Sequence, residues 1–330
     1  ITSTLTDYDN LTIPKGATLL VQASSAATIR VAGDLVVAGT LSFKGDDGYS
    51  GENGNLNGTY YYYTQNRTGT RTGGVGYNGG TDGGDSICGS SNSGRTYGTD
   101  GGGSSGGARG NVVTISTYAN YGTGGGAGGG HGTAGLNGGA AQSNSIGSSW
   151  GPQSNAGGVS GDANFSSGAT AGFGGGGGGS HRYSSSYYHG GGAGGSGAGA
   201  LTVIVNGTFD LKPSGLVNGR GGAGGSNGGQ FGGAGGGGSG GGFHCLAGHA
   251  QIDGIIDLRG GRGGPRASGY YSDYYLYRNV YTYGTNRHGG DGGLGRCRIE
   301  AGNLSNVDEV RVFGALQTAQ INSIPTTGLG

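Results

Sequence analysis

The sequence predicts an all-β protein with a polyglycine-II (polyproline-II-type) helical bundle: β-strand repeats carry inserted glycine-rich blocks, and α-helix is essentially absent. Of its 330 residues, 91 are glycine, far above the roughly 7% of ordinary proteins. These glycines recur at regular intervals. Residues that favour helices are scarce, since the chain has no methionine and only three residues each of glutamate and lysine. With only 5 prolines, a collagen triple helix is excluded.

The longest glycine block, Gly219–Gly242, shows the spacing most clearly. Its glycines fall three apart in two runs, first Gly219, Gly222, Gly225 and Gly228 and then Gly229, Gly232, Gly235, Gly238 and Gly241. The same period recurs within residues 45–54 and 126–138. A polyproline-II helix has three residues per turn and no internal hydrogen bonds, so buried blocks must bond to one another. We therefore expect the blocks to pack side by side as polyglycine-II helices.

β-Strands are predicted around the glycine blocks, beginning with apolar segments in the first 44 residues. Glycines there lie six apart, and the interval returns near residue 250: Gly33, Gly39 and Gly45; Gly248, Gly254 and Gly260. This internal repeat leads from a strand pair into a glycine block. We divide the chain into an N-terminal β region (1–44), a glycine-rich polyglycine-II and β-repeat region with tyrosine-rich loops (45–295), and C-terminal β-strands (296–330).

Tyrosine is concentrated in three loops between the glycine blocks, which hold fourteen of its 20 copies. Tyrosine beside serine, glycine and arginine is typical of recognition surfaces for proteins or sugars. The alternative is that these side chains cap the bundle or fill contacts between subunits, because glycine segments offer no side chains for packing. Both interpretations concern the same candidate contact residues: Tyr60, Tyr61, Tyr62, Tyr63, Tyr183, Tyr187, Tyr188, Tyr270, Tyr271, Tyr274, Tyr275, Tyr277, Tyr281 and Tyr283.

Several function classes are disfavoured by composition and motifs. The 18 basic and 18 acidic residues give a net charge of zero, whereas nucleic-acid binding needs a concentrated basic patch. No apolar run reaches the ~20 residues of a membrane span. No phosphate-binding Gly-x-x-x-x-Gly-Lys-Ser/Thr loop and no nucleophile elbow in a plausible context occur. We therefore expect no catalytic residue, no cofactor-binding residue and no enzyme activity.

Metal and thiol chemistry are also not expected. The six histidines show no spacing that predicts a converging set of ligands. The aspartate-rich turns near residues 46 and 82 lack the nonapeptide repeat of calcium-binding β-rolls. Three widely separated cysteines, Cys88, Cys245 and Cys297, are interpreted as small buried residues, with one disulfide plus a free thiol as the alternative.

The chain resembles the adhesins at the tail-fibre tip of T-even-type bacteriophages, because glycine blocks alternate with aromatic loops. In that family a β-rich attachment region carries a polyglycine-II bundle, and variable loops between its helices bind host outer-membrane proteins. The resemblance implies loops around Tyr60, Tyr187 and Tyr274 as binding tips. It implies four glycine blocks as the helices: Gly124–Gly139, Gly172–Gly179, Gly190–Gly199 and Gly219–Gly242. The missing initiator methionine and the β repeats between the glycine blocks depart from that family's pattern. In these two features the chain is more similar to glycine-rich surface and fibre proteins secreted by bacteria and archaea.

A non-enzymatic secreted structural protein is therefore the function we expect, as a self-assembling subunit of an extracellular filament or surface layer. The chain begins at Ile1 without methionine, which we interpret as removal of a secretion signal. Its expected partner is another copy of itself, with a cell-surface protein or glycan as a further candidate and with neither nucleic acid nor a membrane span. The alternative is a phage tail-fibre tip adhesin, located in the virion, that binds a host receptor through its tyrosine-rich loops.

Overall fold

A computed structural model describes the chain in thirteen segments. They comprise residues 1–49, 69–88, 95–96, 98–110, 121–140, 142–143, 154–160, 165, 168–184, 187–227, 232–265, 288–305 and 311–320. Twenty β-strands and no helix occur in them. The strands are β1 (Leu5–Tyr8), β2 (Leu11–Ile13), β3 (Thr18–Leu20), β4 (Ala27–Val31), β5 (Leu35–Val37), β6 (Thr40–Ser42), β7 (Gly69–Arg71), β8 (Ser86–Cys88), β9 (Arg95–Thr96), β10 (Tyr121–Gly122), β11 (Gln142–Ser143), β12 (Ser180–Ser184), β13 (Tyr187–His189), β14 (Ala200–Leu211), β15 (Leu216–Asn218), β16 (Gly242–Ile252), β17 (Ile255–Asp257), β18 (Arg296–Ser305), β19 (Arg311–Phe313) and β20 (Ala315–Gln320).

Two parallel sheets organise the molecule. The first has the order β1-β4-β14-β16-β18-β20, with β5 joining β2 to the second half of β14. The second has the order β19-β17-β15-β6-β3. Each complete pass of the chain runs along the first sheet, as two short strands in the first two passes and one long strand afterwards, and then adds one strand to the second sheet. The strands therefore stack as successive rungs of a coil, as in solenoid proteins.

The apolar residues of equivalent strands lie directly above one another in this coil. In the first sheet Ile29 pairs in register with Val203, Val203 with Cys245, and Cys245 with Ile299. All four side chains are buried. Alternate residues of a strand face opposite sides, so the burial pattern of β4, with every second residue buried, fits one face on the core. Burying each such side chain contributes roughly 1.5–3 kcal/mol, which makes this stack the main stabilising element.

Glycine-rich insertions leave the coil at one corner. They occupy residues 43–199, 219–241 and 258–295, between the second-sheet strand of one rung and the first-sheet strand of the next. The ends of each insertion are hydrogen-bonded together. Gly199 N–H donates to Phe43 at 3.1 Å, Gly241 to Gly219 at 2.9 Å and Gly295 to Leu258 at 2.7 Å. In the last rung Gly314 alone replaces the insertion. All three insertions therefore project from the same side of the molecule.

Within the insertions, extended segments bond to several neighbouring segments at once. The direction of the donated bonds repeats every three residues in the segment at 175–179. Gly175 and Gly178 donate to Gly195 and Gly192, Gly176 and Gly179 to Ala127 and Gly124, and Gly177 to Thr99. A Cβ on Gly176 would lie 2.3 Å from the Ala108 carbonyl oxygen. This close approach of backbones on all sides explains the requirement for glycine.

The predicted fold class is therefore wrong. The chain is not an all-β polyglycine-II fibre fold, because parallel sheets of 13 strands, the arrangement typical of α/β proteins, organise the described residues without any helix. Glycine spacing reports where backbones approach closely, but it does not show which element defines the fold. Strands from all three predicted regions share the same two sheets.

Candidate binding surface

The end of the insertions farthest from the parallel sheets, here called the distal end, is built from short antiparallel strands. β7 pairs with β8, β10 with β11, and β12 with both β9 and β13. β8 and β12 each follow a glycine segment that runs outward from the coil, whereas the chain between β7 and β8 returns to the coil, where Asn78 bonds Ala23. Antiparallel strands can be joined by a short hairpin, and they therefore suit chain reversal at the tip of an extended insertion.

Buried hydroxyls attach these distal strands to the glycine segments. The Ser86 and Ser180 hydroxyl oxygens lie 3.0 Å apart, and the Gly191 N–H donates to the Ser180 hydroxyl at 2.8 Å. The Thr123 hydroxyl donates to the Gly179 carbonyl at 2.6 Å. Ser86, Thr123 and Ser180 are nearly inaccessible to solvent. The first residues of β8 and β12, and the residue that follows β10, are therefore held by side chains as well as by the backbone.

One of the three predicted tyrosine loops has described residues at this end of the molecule. Tyr183 lies in β12, and Tyr187 and Tyr188 lie in β13. The remaining predicted contact residues fall outside the described part of the chain: Tyr60, Tyr61, Tyr62, Tyr63, Tyr270, Tyr271, Tyr274, Tyr275, Tyr277, Tyr281 and Tyr283.

The described residues that flank those two tyrosine segments lie at the distal end. On one side of the first segment, the Tyr49 carbonyl accepts from the Ala193 N–H at 2.9 Å. For the second, Gly289 N–H donates to Gly264 at 3.1 Å, which closes the base of the segment between them. Tyr49 and Gly264 each follow the corner of the coil by six residues, or about 20 Å of extended chain. The described residues that flank the three tyrosine-rich segments therefore lie at the same end of the structure.

Acidic residues of the turns considered for calcium bind backbone amides instead. Asp82 accepts from Gly76 N–H at 2.7 Å, Asp85 from Gly73 at 2.9 Å and Asp47 from Ala223 at 2.9 Å. Within the described segments no group of three or more histidine, cysteine or acidic residues could hold a metal ion. These carboxylates therefore tie neighbouring segments together.

Two histidines are built into the junction between the insertions and the sheets. His131 is fully buried, with Nδ1 3.0 Å from the Gly240 carbonyl and Nε2 2.9 Å from the Thr170 hydroxyl. Burial lowers the pKa of His131 to about 4, so the neutral ring donates from Nδ1 and accepts at Nε2. His244 lies 2.9 Å from Glu300, and burial likewise lowers its pKa. Both have structural partners that the sequence did not reveal.

The two cysteines of the core are free thiols. Cys245 and Cys297 lie on the adjacent strands β16 and β18 and are fully buried. Burial raises the pKa of both thiols, so the thiolate that reacts with oxidants and metals is disfavoured. This supports the interpretation of these cysteines as small buried residues.

Comparison with known proteins finds no relative of this chain. No protein-family model, no curated protein and no solved structure matches it. In the part of the chain that the structure describes, no helix is both long and apolar enough to cross a membrane.

Proposed function

We propose that this protein is a non-enzymatic adhesin: the parallel sheets are its base, and the distal end presents tyrosine-rich segments to a protein or glycan on a cell surface. The single observation that carries this proposal is that the described residues flanking those segments lie at one end. Residues in three separate stretches, around positions 60, 187 and 275, are each flanked by described residues at the distal end. A purely structural filler would not require this convergence.

The glycine segments can support such a surface rigidly. Successive amides bond to different neighbours, so each segment is held on several sides although it carries few side chains. Rigid support lowers the ordering cost of binding, and tyrosine adds large amphipathic contact area with few rotatable bonds. The expected partner is therefore bound by aromatic and hydrogen-bonding contacts and not by net charge, which is zero for the chain. An extracellular or virion location follows from this role, in keeping with the resemblance to tail-fibre tip adhesins.

The test is a pair of variants compared for binding to intact bacterial cells. In the first, Tyr274, Tyr275 and Tyr277 are replaced by serine; in the matched control, the exposed Leu136 of a glycine segment is replaced by serine. The proposal predicts loss of cell binding in the first variant alone, with thermal unfolding unchanged in both. Equal binding by both variants and the wild type would count against a recognition role for this segment.

A filament subunit remains the second candidate, supported by the edges of the parallel sheets. Among the described strands, β1 pairs only with β4 and β20 only with β18, and Leu5 on β1 is 48% exposed. A free strand edge can pair with another chain. Leu5→Pro, which removes a backbone donor from the free edge of β1 because the backbone of its neighbour Thr4 bonds β4, should then abolish long polymers seen by electron microscopy. Discrete particles of the wild-type protein under all conditions would exclude the filament.

A further inference from the structure

Three cationic side chains stand on successive rungs at the corner where the insertions leave the coil. They are Lys44, Arg220 and Arg259, each two residues beyond the end of β6, β15 or β17. Backbone hydrogen bonds continue the register of these strands. The Gly45 N–H donates to the Arg220 carbonyl at 2.9 Å, and the Gly221 N–H donates to the Arg259 carbonyl at 3.0 Å. The three residues therefore form one row, here called the cation row, on chains about 4.7–4.9 Å apart.

The cation row is accessible to solvent. Lys44 is exposed, and the side chains of Arg220 and Arg259 are 41% and 47% exposed. With the residues that the structure describes, Lys44 makes no ion pair. The Arg220 Nε lies 3.8 Å from the Asp257 carboxylate, which is too far for a hydrogen bond. Both side chains therefore keep their donors available for a ligand.

Arg259 is held in place before any ligand arrives. Its Nε and Nη2 donate to the two Asp257 carboxylate oxygens at 2.9 Å and 2.7 Å. Its guanidinium also lies over the Phe313 ring, 4.6 Å from the centroid. A guanidinium carries five N–H donors, so three remain after the bonds to Asp257. A long side chain that is already ordered lowers the entropic cost of binding.

The charge of the cation row is not balanced within the row. Its three cations share the single carboxylate of Asp257, whose side chain is 8% exposed. Asp46 and Asp47 lie farther along the first insertion, and the Asp47 carboxylate accepts the Ala223 N–H at 2.9 Å. Like charges on neighbouring strands repel one another. Stacking three cations on successive rungs therefore costs stability, and a surface that only had to be soluble would not require it.

We propose that the cation row binds an acidic polysaccharide, with ammonium and guanidinium groups paired to the carboxylates of successive sugars. Charge-assisted hydrogen bonds to carboxylate are strong, and a guanidinium matches the geometry of this group. The row is straight and about 10 Å long over three chains, which suits an extended polymer lying across the rungs. A nucleic acid would call for a larger basic patch.

This surface is separate from the distal end. Lys44, Arg220 and Arg259 are among the first residues of their insertions, next to the parallel sheets. The tyrosine-rich segments are flanked by residues at the opposite end of those insertions. The proposal therefore does not depend on the adhesin role, and it adds an electrostatic contact to a chain whose net charge is zero.

The experiment is calorimetric titration of the full chain with polygalacturonate, with dextran as the uncharged control polymer. The wild type should bind polygalacturonate and not dextran, and its affinity should fall as salt is added, because salt screens exposed charges. Lys44→Gln and Arg220→Gln should each weaken binding by about tenfold. Lys212→Gln is the matched control. It removes the same charge from an ion pair with Asp210 outside the row, and binding should be unchanged.

Thermal unfolding separates binding from a structural role of the row. Lys44→Gln and Arg220→Gln should leave the unfolding temperature unchanged or raise it, since each removes repulsion between neighbouring cations. A row that served only to stabilise the coil would instead give lower unfolding temperatures. The triple tyrosine-to-serine variant should keep its affinity for polygalacturonate, so that a failure of the adhesin proposal and a failure of this one can be told apart.

Three results would overturn the proposal. The first is no binding of polygalacturonate by the wild type. The second is undiminished binding by the double Lys44→Gln, Arg220→Gln variant, which would place the polymer elsewhere on the chain. The third is tighter binding of single-stranded DNA than of polygalacturonate at the same salt concentration, which would assign the cation row to nucleic acid.

Discussion

Asn78 and Ala23 exchange two hydrogen bonds although they lie 55 residues apart in the chain. The Ala23 N–H donates to the Asn78 side-chain oxygen at 2.6 Å, and the Asn78 N–H donates to the Ala23 carbonyl at 2.7 Å. The Asn78 amide nitrogen also donates to Val21 at 2.8 Å. Asn78 sits in a turn of the first insertion, so these bonds join that insertion to the first rung of the coil.

Asn78→Ala should destabilise the protein by about 3 kcal/mol. The substitution leaves two buried backbone groups without partners, at roughly 1–3 kcal/mol each, and Asn78 has a φ of 52°, which asparagine tolerates better than alanine. Urea unfolding followed by circular dichroism measures the loss. Asn137→Ala is the control, because Asn137 is exposed and its side-chain oxygen accepts one hydrogen bond, from the Ala156 N–H. It should change stability by less than about 1 kcal/mol; equal effects in both would show that Asn78 is not a specific anchor.

Glycine should be indispensable at some positions of the insertions and replaceable at others. A Cβ on Gly235 would lie 1.9 Å from the Ala193 carbonyl oxygen, so Gly235→Ala must displace backbone and should cost about 3 kcal/mol or more. Around Gly158 no atom lies within 4 Å of such a Cβ. Gly158→Ala should therefore be neutral or stabilise by up to about 1 kcal/mol. Thermal unfolding of the two variants distinguishes close packing from a general intolerance of substitution.

Stability should fall as the pH drops from about 6.5 to about 4. Burial depresses the pKa of folded His131 to about 4, while the unfolded chain titrates near 6.5. In that window the unfolded state binds a proton that the folded state does not, so unfolding becomes easier by about 3 kcal/mol in total. The lowered pKa of His244 acts in the same direction. His131→Gln should reduce the slope of unfolding free energy against pH; an unchanged slope would show that His131 is not its source.

The core thiols should be unreactive until the protein unfolds. Cys245 and Cys297 are buried free cysteines whose thiolate forms are disfavoured. In a Cys88→Ser background, a thiol reagent such as dithiobis-nitrobenzoate should label neither residue in native buffer and both in denaturant. Rapid labelling under native conditions would mean that the rungs carrying β16 and β18 open readily.

The strands of the first rungs could be predicted from the sequence, because alternating apolar residues report a half-buried strand. Residues 28–43 indeed form β4, β5 and β6. The six-residue glycine spacing has a structural counterpart at a corner between strands, where Leu216 N–H donates to the Gly39 carbonyl and Ile255 N–H to that of Gly215. The parallel pairing could not be predicted, since equivalent strands are separated by insertions whose length leaves the partner undetermined.

By itself, the sequence determined that backbones must lie in close contact, because only glycine lacks the Cβ that would collide with a neighbouring carbonyl. It also determined that tyrosine would be clustered. Only the tertiary structure decided which segments touch, that every insertion leaves one corner of a parallel coil, and that the described residues flanking the tyrosine-rich segments lie at the distal end. Glycine segments carry no side chains that specify a partner, so their neighbours are set by where the parallel sheets anchor each end.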